Sequence, residues 1–319
     1  IVGIGGGFIG TTMGAIYAWV LVRTDTPGLK VFKVLAVLPL SMPFIVKGIG
    51  WVALFDPSIG LLREFTDRFL GITFTYNIYT LEGITIALGV GGLPLAFLII
   101  EPAVQSVSSS LEEGSRVSGR GMIQTVFRIT LPMLLPALFS AFFLLTILNM
   151  GNFDYPFLLG AWKGNIGTLA TEIYLEVYGS TTPDYPTAIV LSLVYVLLAF
   201  GAMAIYLYYT KSSFRFETVT GRTERHTVHR LGRWKYVGTA FCFLLWLVSF
   251  GVPFLGMAGM AFSPGLGQTF TGITFENFEQ FLSISGLEDV IINTVVISVV
   301  SAAGVSFFSV FISYLTLKT

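Results

Sequence analysis

Four sets of residues carry chemistry by type and spacing. Glu172 and Glu176 stand one helical turn apart, with Asp154 and Asp184 in the same stretch. Hard carboxylate oxygens suit a hard cation, although the preferred reading is a solvated acidic face that touches a partner protein. His226 and His229 lie in a basic stretch and fall short of the ligand number that a metal site needs. Gly5-Gly6-Gly7-Phe8-Ile9-Gly10 has the spacing of a dinucleotide-binding turn, but no strand precedes it and an apolar helix follows. Gly6, Gly10 and Gly14 instead form a four-residue stripe that lets another helix approach closely. Lys47 is a single charge inside an apolar run, and such residues are pathway candidates by default. It precedes Asp56 by nine residues, so its amine can also snorkel to the outer end of the run.

The elements that position these residues are membrane helices. The chain of 319 residues is 54% hydrophobic and 11% charged, against about 25% charged in a soluble domain. That balance excludes a disordered chain, a nucleic-acid binder and an ordinary soluble enzyme. A spanning helix needs roughly 20 mostly apolar residues. Seven runs qualify: 1–22, 34–55, 83–100, 131–149, 185–208, 236–262 and 290–317. They exclude every charged side chain except Lys47, and they show none of the ten-residue alternation of barrel strands. The fold class is all-α and polytopic. The runs contain neither Asp nor His, so the paired aspartates or Ser–His pair that an intramembrane enzyme would use are absent and that class is disfavoured. No Gly-Lys dipeptide occurs, so the chain has no phosphate-gripping loop of that type. Cys242, the one cysteine, lies in an apolar run and reads as buried. Pro39 and Pro43 flank the Lys47 region of the second run, and Gly89, Gly91, Gly92 and Pro94 are expected to interrupt the third; kinked helices suit a moving pathway and occur equally in static bundles.

Basic residues set the orientation. Of the eighteen, fourteen fall on alternate connecting segments (23–33, 101–130, 209–235 and the end), three on the others, and Lys47 between. Twelve of the eighteen acids fall on the opposite side. Segment 101–130 is therefore expected to face the cytoplasm, and 56–82, 150–184 and 263–289 to face outward. Ala18-Trp19-Val20-Leu21-Val22-Arg23-Thr24 is echoed by Ser313-Tyr314-Leu315-Thr316-Leu317-Lys318-Thr319. The echo divides the chain into a first unit at 1–210, a basic linker at 211–235, and the start of a second unit at 236–319.

Among the connecting segments, 108–132 has the most ordered pattern. Ser109 or Ser110 can cap a short helix with Glu112 and Glu113 in its first turn. Gly119 and Gly121 permit a sharp turn. A second amphipathic helix carries Met122, Ile123, Val126 and Phe127 on one side and Gln124 and Arg128 on the other. Pro132 suits the first turn of the next membrane helix. The result is a compact docking knob.

This segment resembles the signature of permease subunits of ABC importers: Glu-Ala-Ala, three residues, Gly, nine residues, then Ile-x-Leu-Pro. Here it stands as Glu113-Gly114-Ser115, Gly119 and Ile129-Thr130-Leu131-Pro132. Gly114 and Ser115 replace two alanines. Both are small, and Gly114 costs the loop roughly 0.5–1 kcal/mol of helix stability relative to Ala. The resemblance implies the type I importer transmembrane fold, with Glu112, Glu113, Gly114, Ser115, Gly119, Ile129, Leu131 and Pro132 as the loop that couples to a paired ATP-hydrolysing subunit. It implies no cofactor in this chain, since ATP belongs to that partner. It further implies an external substrate-binding protein, a place in the inner (plasma) membrane of a prokaryote, and no nucleic acid.

The echo, the linker, Asn152-Phe153-Asp154-Tyr155-Pro156-Phe157-Leu158-Leu159-Gly160 and Thr168-Leu169-Ala170-Thr171-Glu172-Ile173-Tyr174 are similar to the fused two-unit permeases for ferric iron. Thiamine, phosphonate, polyamine and sulfate permeases share much of the pattern. An ATP-independent channel or carrier is the competing class. On the fused reading the sequence is a fragment that lacks the first helix of one unit and the last four of the other.

Overall fold

The structure, a computed structural model, describes residues 1–74, 76–107, 111, 114–115, 117–119, 121–161, 166–211, 229–265 and 268–318. Among these residues the one pairing of extended backbone is the parallel bridge of Thr24 with His229. The rest of the regular structure is helical: α1 (Val2–Arg23), α2 (Leu29–Val37), α3 (Phe44–Phe55), α4 (Leu61–Phe65), α5 (Leu81–Ser106), α6 (Met122–Thr125), α7 (Leu131–Met150), α8 (Leu169–Tyr178), α9 (Tyr185–Lys211), α10 (Lys235–Trp246), α11 (Val252–Ala261), α12 (Glu276–Leu282) and α13 (Leu287–Lys318). π-helical turns at Val126–Thr130 and Leu247–Gly251 join α6 to α7 and α10 to α11. Among the described residues six helices are long and apolar enough to cross a membrane, seven if the bent pair Leu29–Ser41 with Phe44–Phe55 is one span.

Two of the expected membrane helices differ from expectation. The run 34–55 is not one straight span: its halves meet at 97°. Pro43 has no N–H to continue a helix and pushes the residue before it into extended backbone, where Met42 lies with φ −99° and ψ 120°. The third run is uninterrupted. Helix α5 passes through Pro94 and Pro102 without a break, and its glycines serve packing.

The core forms where α1 meets α5 and α7. A Cβ on Gly6 would meet the backbone of Gly89, and one on Gly14 would strike Ala96, so α1 and α5 run parallel. Gly3 faces Met150 and Gly7 faces Thr146, so α7 runs antiparallel to both. The glycine stripe thus does the close packing that its spacing predicts. Tyr17, Leu93, Ala96, Phe97, Ile100 and Leu145 are buried around it. A second approach of the same kind joins α3 to α11: Gly50 faces the backbone of Pro253, and Gly256 faces the backbone of Gly50. Cys242 is fully buried. Helix α13 stands off the bundle, with no part of its apolar window buried.

This alternation gathers the connecting segments into two ends. The basic end holds 23–33, 101–107 and 229–235. The acidic end holds the described residues 56–74, 76–79, 151–161, 166, 263–265 and 268–270.

Candidate functional site

At the basic end, the described residues among 111–132 form two helical arms joined by a turn. The Ser118 N–H donates to the Gly114 carbonyl at 3.1 Å, and the Ser118 hydroxyl donates to the same oxygen at 2.8 Å. Gly119 then reverses the chain with φ +80°, a conformation that penalises any Cβ. The Thr125 N–H donates to Gly121 O at 3.0 Å as the second arm starts. The arms are tied by Ser115 Oγ and Thr125 Oγ1, 2.9 Å apart and both buried. Gly114 and Gly121 have no atom near the place a Cβ would occupy. Outward, the hairpin presents Leu111, Val117 and Phe127, with Val117 90% exposed.

Ile129 and Leu131 are half-buried and Pro132 is exposed. They stand at the π turn, where the Leu131 N–H reaches back five residues to Val126 O. Proline tolerates that place because the first turn of a helix needs no N–H from it. Glu112 and Glu113, together with Ser109, Ser110, Arg116 and Arg120, lie outside the described residues. Gly114, Ser115 and Gly119 thus lie on the first arm and its turn, Ile129, Leu131 and Pro132 lie where the second arm enters α7, and the bond between Ser115 and Thr125 ties the arms.

Two residues here were missed by sequence reasoning. Thr125 is one: a serine where the family pattern has alanine calls for a polar partner, and Thr125 supplies it. Arg23 is the other, noted only as a basic residue at a helix end. It is fully buried, and its Nη2 donates to Val104 O at 3.0 Å and to Val107 O at 2.8 Å. Those carbonyls lie at the C-terminal end of α5, where helical acceptors go unpaired and a cation is favoured. The Arg23 carbonyl in turn accepts the His229 N–H at 2.8 Å, and Asp25 Oδ1 accepts the Leu231 N–H at 2.8 Å. Lys33 pairs with Glu101 at 2.7 Å. The end of α1, the end of α5 and the segment beginning at His229 thus form one cluster at the root of the hairpin. The His229 ring stacks on Trp19, with centroids 6.1 Å apart, while His226 lies outside the described residues.

At the acidic end, Asp56 is buried. Its Oδ1 accepts the Ser58 and Ile59 N–H groups at 2.7 and 3.1 Å, and its Oδ2 accepts the Tyr79 hydroxyl at 2.5 Å. Burial, and then this bond to Asp56, raise the Tyr79 pKa. Glu64 accepts the Thr269 and Phe270 N–H groups, each at 3.0 Å.

Lys47 does not snorkel outward. It is 1% exposed, and its ammonium sits 5.0 Å from the Phe44 ring centroid. Side chains on a helix lean toward its N-terminus, so Lys47, one turn into α3, points back over Phe44 and away from Asp56.

Helix α8 carries Glu172 and Glu176 behind a capping box of Thr168 and Thr171. Asp184 is exposed and accepts the Thr187 N–H and hydroxyl at 3.0 and 2.8 Å, which lower its pKa. Burial raises that of Asp154. Among the described residues no three of His, Cys, Asp and Glu converge as a metal cluster. Asp154 instead lines a cavity of about 320 Å³ with Phe44, Asn149, Asn152 and Phe153.

Comparison with known proteins agrees with this architecture. Residues 10–214 match the family described as binding-protein-dependent transport system inner membrane component. The chain is 27% identical to the putative ferric transport system permease protein FbpB 1 of Haemophilus influenzae, over 98% of this chain and 49% of that protein. It is 28% identical to the ferric transport system permease protein FbpB of Actinobacillus pleuropneumoniae, over 98% of this chain and 45% of that protein. The sulfate transport system permease protein CysT of Salmonella typhimurium is 27% identical, over 55% of this chain and 61% of its own length. The chain thus spans about half the length of the two ferric relatives. With a helical bundle of this topology and a family match over most of its length, it belongs to the binding-protein-dependent transport system inner membrane components, the permeases of ABC importers.

Proposed function

We propose that this chain forms part of the translocation pathway of an ATP-driven importer in a prokaryotic inner membrane, and that hairpin 111–132 is its coupling element. The observation that carries the reading is the hairpin itself. It is tied by the Ser115–Thr125 hydrogen bond, turned at Gly119, and shows exposed Leu111, Val117 and Phe127 at the basic end. Exposed apolar side chains on a protruding knob are what a partner's cleft buries. On this reading the basic end is cytoplasmic and the partner is a separate ATP-hydrolysing subunit pair. Arg23 and the α1–α5 contact carry its motion into the bundle.

The substrate class we propose is ferric iron, delivered by an external binding protein to the acidic end near Glu172 and Glu176. The printed names of the two relatives that cover nearly the whole chain support it. We read 1–210 as a first permease unit, 211–235 as a linker and 236–319 as the start of a second, with Lys47 beside the pathway. Glu113→Ala and Gly119→Val test the coupling reading in the full-length transporter. Both should abolish ATP-dependent iron uptake or co-purification of the ATPase while membrane insertion stays normal. Unchanged uptake in both variants would remove the hairpin from the coupling path.

A further inference from the structure

Two opposite charges beside α3 share one aromatic neighbour and do not meet. Lys47 is 1% exposed, and its ammonium lies 5.0 Å from the centroid of the Phe44 ring. Among the described residues no carboxylate comes within ion-pair distance of it. Phe44 also lines the cavity of about 320 Å³, where Asp154 shares the wall and Lys47 does not. Among the described residues no cation pairs with Asp154 either. The two charges are neighbours through the residues that follow them. Tyr155 sets a ring carbon 3.5 Å from the place a Cβ would take on Gly48, and the Phe44 and Tyr155 rings meet edge to face at 5.9 Å.

A buried ammonium without a counter-charge is costly, and one ring face offsets only part of that cost. An apolar side chain of similar size would serve a static core better. Asp56 does not answer the charge. It stands at the far end of α3 and already accepts the Ser58 and Ile59 N–H groups and the Tyr79 hydroxyl. Asp154 is the carboxylate adjacent to Lys47 that carries no such commitment.

The ring between the two charges is placed to move. Phe44 is the first residue of α3, directly after Pro43 and the 97° bend. Its ring packs on Gly91 of α5, which puts no side chain in its way. The ammonium rides on a flexible stem and can follow the ring. Pairing with Asp154 would carry that stem to the cavity wall and take up part of its volume.

We propose that Lys47 and Asp154 are the two halves of an electrostatic latch gated by Phe44, apart in this conformation and paired in the one that closes the cavity at the acidic end. The pair offsets the buried charge in the closed state alone, so it shifts the equilibrium toward closure. Lys47 and Asp154 act on the timing of transport and need not touch the cargo. The assignment rests on the reading of the chain as part of a translocation pathway.

The test uses the full-length transporter in vesicles, with its cysteines replaced by serine and radioactive ferric iron as the cargo probe. Lys47→Met removes an uncompensated charge, so the thermal midpoint of the nucleotide-free protein should hold or rise while ATP-dependent uptake falls at least about tenfold. A lysine with a merely structural role would lower the midpoint instead. Asp154→Asn should lose uptake to a similar extent. The exchange of Lys47→Asp with Asp154→Lys should recover uptake well above either single variant. Lys47→Cys with Asp154→Cys should form a disulfide in one nucleotide state and not in the other. Wild-type uptake by Lys47→Met overturns the latch, as does an exchange variant without recovery whose cysteine counterpart cross-links regardless of nucleotide. A nucleotide-dependent disulfide in a transporter that takes up no iron upholds the latch and overturns the iron-importer reading instead.

Discussion

The guanidinium of Arg23, at the last residue of α1, lies 2.8 Å from the carbonyl oxygen of Val107, the residue that follows α5. The first helix therefore holds the point from which the hairpin departs. Hydrogen bonds to a charged group contribute about 1.5–3 kcal/mol each, and Arg23 makes two here. Arg23→Ala should lower stability by about 3 kcal/mol, read as a shortened half-life at elevated temperature in detergent. Arg23→Lys keeps a charge on a shorter, more strongly hydrated head, and should fall between the two. In the assembled transporter Arg23→Ala should also leave ATP hydrolysis running with reduced uptake. Unchanged stability and coupling would make the contact incidental.

Ser115 and Thr125 should behave as a pair. Thr125→Val leaves the Ser115 hydroxyl buried without its partner and should cost about 1–3 kcal/mol. Ser115→Ala, which restores the alanine of the family pattern, should cost less. The double variant should be less damaging than the sum, with a coupling energy of about 0.5–1.5 kcal/mol in a double-mutant cycle. Strict additivity would mean that the bond does not hold the hairpin.

The glycines divide into those that must stay small and those that need not. A Cβ on Gly10 would lie 2.8 Å from the Gly89 carbonyl oxygen, and one on Gly50 would strike the backbone of Pro253. Gly10→Ala and Gly50→Ala should each cost about 1–3 kcal/mol through overpacking. Gly114→Ala meets open space and should stabilise the isolated chain by about 0.5–1 kcal/mol. Thermal denaturation of the three variants checks the ordering, and a Gly114→Ala penalty matching the others would contradict it.

Asp184 gives a pH signature. The Thr187 N–H and hydroxyl hold its carboxyl below the ordinary value of 3.8, so the folded state favours the ionised form. Its capping of α9 is fully present above that value and is lost as pH falls through the lowered one. The protection factor of the Thr187 amide, its exchange rate relative to the unfolded chain at the same pH, should fall over that window in the wild type and stay constant in Asp184→Asn.

The sequence made some layers legible and not others. Apolar runs and basic-residue placement exposed the spans and their alternation, because charge is costly inside a bilayer wherever the helices later pack. The Gly6–Gly10–Gly14 stripe and the Gly119 turn were readable because each is a local steric demand. The 97° bend between α2 and α3 was signalled by Pro39 and Pro43, but its size depends on what α3 packs against. Gly89 to Pro94 suggested a broken helix where α5 is continuous, since packing against α1 supplies what propensity lacks. The burial of Lys47 and Arg23, the Ser115–Thr125 bond and the cavity around Asn149 all join residues distant in the chain, which no periodicity can show.

Val117 offers the most direct measurement. It is 90% exposed on the hairpin, and the one cysteine of this sequence, Cys242, is buried, so Val117→Cys adds an addressable thiol once any cysteine elsewhere in the transporter is replaced by serine. In the full-length transporter this cysteine should cross-link to the ATP-hydrolysing subunit in a nucleotide-dependent manner. In intact cells it should resist a membrane-impermeant maleimide. Labelling from outside the cell, or the absence of any cross-link to the ATPase in a transporter that still takes up substrate, would contradict the assignment of 111–132 as the coupling hairpin.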